Sequence, residues 1–197
     1  SGSNNELSEA EIGNARAQIE KSSYLLCQLE IDVELSLIAL RLAKELGVST
    51  ILNPAPARTS LPPDIYKLTD IFCPNESEAE LLTGRKINSM ADIESMAEEF
   101  ITAGAKSVII TLGEKGCYVL SNNIGKHIPA NQVAVVDTTG AGDAFVGALA
   151  HYLNLGLDIF ESAKRASAVA TISVQGKGTQ SSFPSKDQLP KELLSSK

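Results

Sequence analysis

Residues Val133–Leu153 read VAVVDTTGAGDAFVGALAHYL. Val133, Val135 and Val136 are β-branched and apolar, which predicts a buried strand over residues 133–136. Asp137-Thr138-Thr139 breaks that run with small polar groups, and Gly140-Ala141-Gly142 then leaves the backbone almost bare. Phe145, Leu149 and Leu153 recur at every fourth position, one face of a helix that opens at the glycines. The first amides of such a helix have no partner within it and carry the positive end of its macrodipole, about half a unit charge. A bare backbone lets an anion approach them.

Asp143 falls in the first turn of that helix, and two readings of it stand side by side. A carboxylate there favours the dipole without further function. Beside an anion site, it is also placed to take a proton from a hydroxyl attacking phosphorus, while the amides hold the shifting charge. The commoner phosphate motifs are absent. No Gly-Lys-Ser/Thr follows any glycine run, so there is no Walker A loop. Gly140 and Gly142 are followed by glycine only at Gly147, the wrong spacing for a dinucleotide fingerprint.

Outward from this stretch the chain alternates strand and helix. A capping-box spacing, Ser8 to Glu11, predicts a helix to about Lys21. Strands are predicted at 24–29, 49–52, 70–73 and 107–112, with a return strand at 117–120 after the turn Gly113–Gly116 and a short strand within the polar segment 121–128. Helices are predicted at 33–46, with Leu35, Ile38, Leu42 and Leu46 inward, and at 64–68, from Glu76 with Asn75 as N-cap, at 89–103 and at 158–174. A Gly-rich loop, residues 175–182, and a weak amphipathic segment, residues 187–194, close the chain. Alternation of this kind predicts an α/β fold, a mostly parallel sheet with helices on both faces in one three-layer, Rossmann-like domain. Ligands in such folds sit where strands end, and Glu30, Asn53, Asn75, Gly113 and Asp137 each close a predicted strand. The segment Pro74-Asn-Glu-Ser-Glu-Ala-Glu80 crowds carboxylates and amides at one strand end, which suits either a well-capped helix or a magnesium-water site.

The length, 197 residues, supports a real core, and the composition is aliphatic, with 43% hydrophobic and 5% aromatic residues. A net charge of −7 without a basic face argues against a nucleic-acid binder, and no apolar run is long enough to cross a membrane. Cys27, Cys73 and Cys117 sit singly in apolar stretches, as reduced thiols of a cytoplasmic or nuclear protein would. There is no CxxC or HExxH pattern for zinc, and His127 and His151 are isolated.

Asp137-Thr-Thr-Gly-Ala-Gly-Asp143 closely resembles the C-terminal signature of the ribokinase-like (PfkB) carbohydrate kinases. Asn53-Pro-Ala-Pro-Ala57, Pro74-Asn-Glu-Ser-Glu-Ala-Glu80, Ile110-Thr-Leu-Gly-Glu-Lys-Gly116 and Gly178-Thr-Gln-Ser-Ser-Phe-Pro184 are similar to the ribokinase branch, in the right order and over nearly the whole chain. The resemblance implies transfer of a phosphoryl group from ATP to the 5-hydroxyl of D-ribose. It makes Asp143 the base and a contact of the sugar, and Gly140, Ala141 and Gly142 the anion hole. Asn75, Thr111, Leu112, Gly113, Glu114, Lys115, Gly116, Gly142, Asp143 and Ser167 match nucleotide-binding positions. Ser167 stands where relatives often carry asparagine near the adenine. Glu30 matches a carboxylate that binds ribose, and Glu78 one that organises magnesium-bound water. Asp137, Thr139, Ser173, Gly176, Gly178 and Ser182 match the ligands of a potassium ion that shapes the anion hole.

The family's early features, a small β-sheet lid and a Gly-Gly-x-Gly-x-Asn sugar-binding stretch, have no counterpart here. By resemblance the chain corresponds to the C-terminal, nucleotide-binding part, expected to be poorly active alone and to leave an apolar sheet edge open for pairing with another chain or a second copy. Two other readings remain: a non-catalytic form that binds nucleotide or a partner, and a kinase of another sugar or nucleoside.

Overall fold

The computed structural model describes residues 2–195. Six strands, Tyr24–Cys27 (β1), Ser49–Leu52 (β2), Ile71–Phe72 (β3), Ser107–Thr111 (β4), Cys117–Ser121 (β5) and Ile124–Ile128 (β6), lie side by side in chain order in one sheet. β1 to β4 are mutually parallel, with Leu26 beside Ile51, Ile51 beside Ile71 and Ile71 beside Ser107. The helices are Glu9–Asn14 (α1), Arg16–Glu20 (α2), Val33–Glu45 (α3), Pro63–Lys67 (α4), Glu76–Thr83 (α5), Met90–Ala103 (α6), Ala141–Asn154 (α7), Ile159–Ser173 (α8) and Lys191–Leu194 (α9). The fold is the predicted α/β one. By internal contacts it divides into two compact units. The residues up to Thr111 with Leu120–Gly125 form the first, and Leu112–Val119 with the residues from Lys126 onward form the second.

In the first unit, caps set the helix starts. Asn75 Oδ1 accepts from the Glu78 amide at 2.8 Å, and Ser89 Oγ from the Asp92 amide at 3.3 Å, each answered by the N3 side chain. The core lies where α3 and α6 meet the parallel strands: Leu40, Ile51, Leu52, Phe72, Met96 and Ile109 are fully buried. Tyr66, Phe72 and Phe100 add an aromatic cluster with ring centroids 5.0–6.0 Å apart. At the N-terminal ends of β2 and β3, Asp70 accepts from Lys44 Nζ at 2.6 Å, Lys106 Nζ at 2.7 Å and the Thr50 amide at 2.9 Å. Burial alone would push this carboxyl up, but the two ammonium groups and the amide together hold it at about 2.

In the second unit, α7 packs along α8. Phe145, Val146, Leu149 and Tyr152 of α7 are buried, as are Ala163, Ala166 and Ser167 of α8, whose small side chains suit close helix packing. Asp158 caps α8 by accepting from the Phe160 and Glu161 amides, both at 2.9 Å.

Four expectations need correction. Residues 133–136 form no strand: Val135 and Val136 are 55% and 63% exposed, and the Val136 and Asp137 amides both donate to the Val174 carbonyl instead of a ladder. β-branched composition makes a strand only where a neighbour offers hydrogen bonds. Asp137 therefore closes a loop. The first helix is two, joined at Ala15. In α3 the fully buried residues are Ser36, Leu37, Leu40 and Ala43, while Leu35, Ile38, Leu42 and Leu46 are half-buried, because apolar side chains surround most of this helix. β1 is not a buried strand but the end strand of the sheet, with Leu26 42% exposed.

Candidate active site

In the second unit the mouth of α7 is open to solvent. Gly140 is its N-cap, and Gly142 and Asp143 are exposed in its first turn. Gly140 has φ +81, and a Cβ there would lie 3.2 Å from both Thr179 Cα and Phe183 Cε1. The turn thus needs a residue that tolerates the left-handed region and a close neighbour. The Ala141 amide donates to the Thr138 carbonyl at 3.2 Å, and the Ala144 amide to the Gly140 carbonyl at 2.9 Å as the helix ladder begins.

Asp137 holds the loop before this mouth against the Gly-rich loop. One carboxylate oxygen accepts from the Thr139 hydroxyl at 2.6 Å and the Thr139 amide at 2.9 Å, the other from the Gly178 amide at 3.0 Å. Those three donors, the Thr139 hydroxyl foremost, hold its carboxyl down at about 2. Ser173 is buried and its carbonyl accepts from the Gly176 amide at 3.1 Å; a Cβ added at Gly176 would lie 3.1 Å from Ser182 Cβ. Asp137, Thr139, Ser173, Gly176, Gly178 and Ser182 are therefore gathered around one pair of loops. Their donors are all oxygens, hydroxyl, carbonyl and one ionised carboxylate, which fits a hard monovalent cation. Among the described residues no group of three His, Cys, Asp or Glu could hold a metal, so a transition-metal centre has no support there.

Leu112–Gly116 also belongs to the second unit. Leu112 and Gly116 close the turn, the Leu112 amide donating to the Gly116 carbonyl at 2.8 Å. His127 Nε2 lies 2.8 Å from the Lys115 carbonyl, and Gln132 Nε2 donates to the Glu114 carbonyl at 3.2 Å. Gly116 has φ +93, and a Cβ there would meet the Ile128 carbonyl oxygen at 2.0 Å. A cavity of 410 Å³ opens beside α8, lined by Ser167, Ala168, Thr171, Asn131 and Val133 among others. Ser167 thus faces a space of the size that small-molecule ligands fill.

In the first unit, Asn53, Asn75 and Glu78 come together at the C-terminal ends of β2 and β3. Glu78 is 3% exposed. Its oxygens accept from the Asn75 amide at 2.8 Å, Asn75 Nδ2 at 3.0 Å and Asn53 Nδ2 at 3.5 Å. Burial raises its carboxyl above the ordinary glutamate value, the Asn75 amide opposing. The capping role and a buried acid thus coexist in one side chain, whose oxygen donors suit magnesium held through water. Asn75 also makes a parallel bridge with Thr111. Glu30 is exposed beyond β1, and its carbonyl accepts from Asn4 Nδ2 at 3.5 Å.

A family model for pfkB family carbohydrate kinases matches residues 2–186. The chain belongs to that family. The mouse (Mus musculus) ribokinase is 46% identical over 199 residues, 98% of this chain and 61% of that protein. The Thermotoga maritima ribokinase structure superposes with TM-score 0.85 at 34% identity, over 97% of this chain and 62% of that one. An Arabidopsis thaliana ribokinase, solved with ribose and ATP, gives TM-score 0.83 at 32% identity, over 91% and 58%. This pfkB-family chain thus spans about three fifths of the length of these relatives. No described helix is long and apolar enough to cross a membrane.

Sequence reasoning missed several contacts of this pfkB-family chain. The bond from Gly178 to Asp137 spans 41 residues, and no local pattern announces it. His127 and Gln132 were isolated polar residues until the fold brought them to the Gly113–Gly116 turn. Cys73 and Cys117 are buried and Cys27 is half-buried, and burial pushes the Cys27 and Cys117 thiols up to about 12.

Proposed function

We propose that this chain carries the nucleotide-binding and phosphoryl-transfer machinery of a ribokinase, moving the γ-phosphoryl group of ATP to O5 of D-ribose to give ribose 5-phosphate. The observation that carries this reading is the mouth of α7: a left-handed Gly140 as N-cap, with Gly142 and the carboxylate of Asp143 exposed in the first turn. Asp143 takes the proton of the 5-hydroxyl as O5 bonds to phosphorus; the bond to the leaving oxygen breaks, and ADP departs with that electron pair. The turn of Gly140, Ala141 and Gly142 serves as the anion hole, holding the charge on the transferring group. Asn75 and the segment from Thr111 to Gly116 contact the nucleotide, Ser167 lies near its base, and Glu30 binds the sugar. Glu78 holds water on a magnesium ion, which neutralises phosphate charge when bound. The oxygens around Asp137 hold potassium, whose effect is to fix the shape of the loop before α7.

The test is calorimetry with MgATP and a coupled ADP-release assay with ribose. Both are run on this chain and on one completed with the N-terminal segment its relatives carry. Binding of MgATP by both, strengthened by potassium, with ribose turnover only in the completed chain, supports the reading. No ribose-dependent ADP release from a completed chain that binds MgATP would point to a non-catalytic form or another acceptor, and a panel of sugars and nucleosides then separates those two.

A further inference from the structure

The cavity beside Ser167 has a wall that none of the family motifs supplies. Pro190, Glu192, Leu193 and Ser195, from the last described segment, line it opposite the face of α8. That segment has little reason to hold its shape alone. α9 is a single turn of four residues, far too short to be stable in isolation. It is instead held from outside by two buried side chains. Tyr152 of α7, 2% exposed, donates its hydroxyl to the Leu193 carbonyl at 2.9 Å. Arg165 of α8, 7% exposed, donates from its guanidinium to the Ser195 carbonyl. The same guanidinium is fixed from two further sides: its Nε donates to Glu161 Oε1 at 2.8 Å, and its carbon sits 5.6 Å from the centre of the Tyr152 ring. Leu193 is buried and closes the underside.

Two backbone carbonyls, two helices and one shared guanidinium thus form a clasp. Arg165 also lines the cavity itself. A group that enters the cavity and the segment that walls it are therefore linked through one side chain, and linkage of this kind works in both directions. We propose that residues Pro190–Ser195 are a strap, fastened by Tyr152 and Arg165, that sets one wall of the nucleobase cavity and so governs affinity for the base of ATP and not for its phosphates. Tyr152 and Arg165 are positioning residues in this scheme. It rests on reading the Ser167 cavity as the nucleobase site.

The test compares dissociation constants for MgATP and for magnesium tripolyphosphate, which has phosphates and no base. It uses the full chain, Tyr152→Phe, Arg165→Lys, and a chain shortened after Leu189. Tyr152→Phe keeps the ring and removes only the hydroxyl, so it stays informative where the shortened chain fails to fold. The full chain is expected to bind MgATP more tightly than tripolyphosphate. The shortened chain loses about tenfold in MgATP affinity and Tyr152→Phe about threefold to fivefold, the size of one hydrogen bond. Arg165→Lys, which can still reach the Ser195 carbonyl, keeps most of the affinity. Tripolyphosphate binding stays within about twofold throughout. Unchanged MgATP affinity in the shortened chain and in Tyr152→Phe overturns the strap, as does an equal loss for both ligands. A full chain that binds tripolyphosphate as tightly as MgATP overturns it too, while one that binds neither ligand removes the nucleotide reading and the strap with it.

Discussion

Replacing Asp70 by asparagine keeps the shape of the side chain and removes its charge. In the folded protein this carboxyl is held at about 2 against an ordinary 3.8. Each unit of such a shift corresponds to about 1.4 kcal/mol, so the difference amounts to roughly 2.5 kcal/mol before screening. Lys106 is 71% exposed and Lys44 26%, so water screens much of that attraction and about 1–1.5 kcal/mol is expected to remain. Asparagine can still accept from the Thr50 amide, so the loss isolates the charge. Because the folded carboxyl lies below the unfolded one, its contribution is fully present above the unfolded value. It is lost as pH falls toward about 2, where the unfolded chain has already bound its proton. Urea titrations followed by far-ultraviolet circular dichroism at pH 7, 5, 4 and 3 would measure it. At pH 7 the midpoint of Asp70→Asn should fall by about 0.5 M. The two proteins should converge as the pH drops through the window from about 5 to 2. Equal midpoints at pH 7, or a gap that stays constant down to pH 3, would refute the reasoning.

Asp143→Asn removes proton acceptance and leaves the amides alone. Ribose-dependent ADP release by the completed chain should fall at least about a hundredfold, with MgATP affinity by calorimetry within about threefold. Glu78→Gln removes a charge that burial disfavours, so the variant should melt higher in a thermal scan, while magnesium should no longer strengthen ATP binding; a lower melting temperature would show that the charged form is needed by the cap. Gly116→Ala places a methyl group 2.0 Å from the Ile128 carbonyl at a left-handed position and should cost at least about 2 kcal/mol in urea unfolding. Asp137→Asn weakens the tie to Gly178 and should abolish potassium stimulation of MgATP binding, while leaving binding without potassium nearly as it was.

What could be read in the sequence was what neighbours along the chain decide. The cap at Asn75 falls where the sequence placed it, because a cap is settled within three residues. β2 matches its predicted bounds, since a short apolar run between turn signals has few other uses. Glu78 was visible as one of a crowd of acids, but not its burial, which depends on Asn53 from a different strand. The valines of 133–136 misled for the opposite reason: their composition was right for a strand and the partner ladder was missing. The clasp on the last segment was invisible altogether, since Tyr152 and Arg165 reach residues 41 and 30 positions away.

β1, four residues long, ends the sheet and pairs with β2 along one side. Such a margin acts as a template: an extended segment that reaches it gains main-chain bonding without disturbing anything already built. Leu26, 42% exposed on β1, would then be covered by whichever apolar side chain such a neighbour sets beside it.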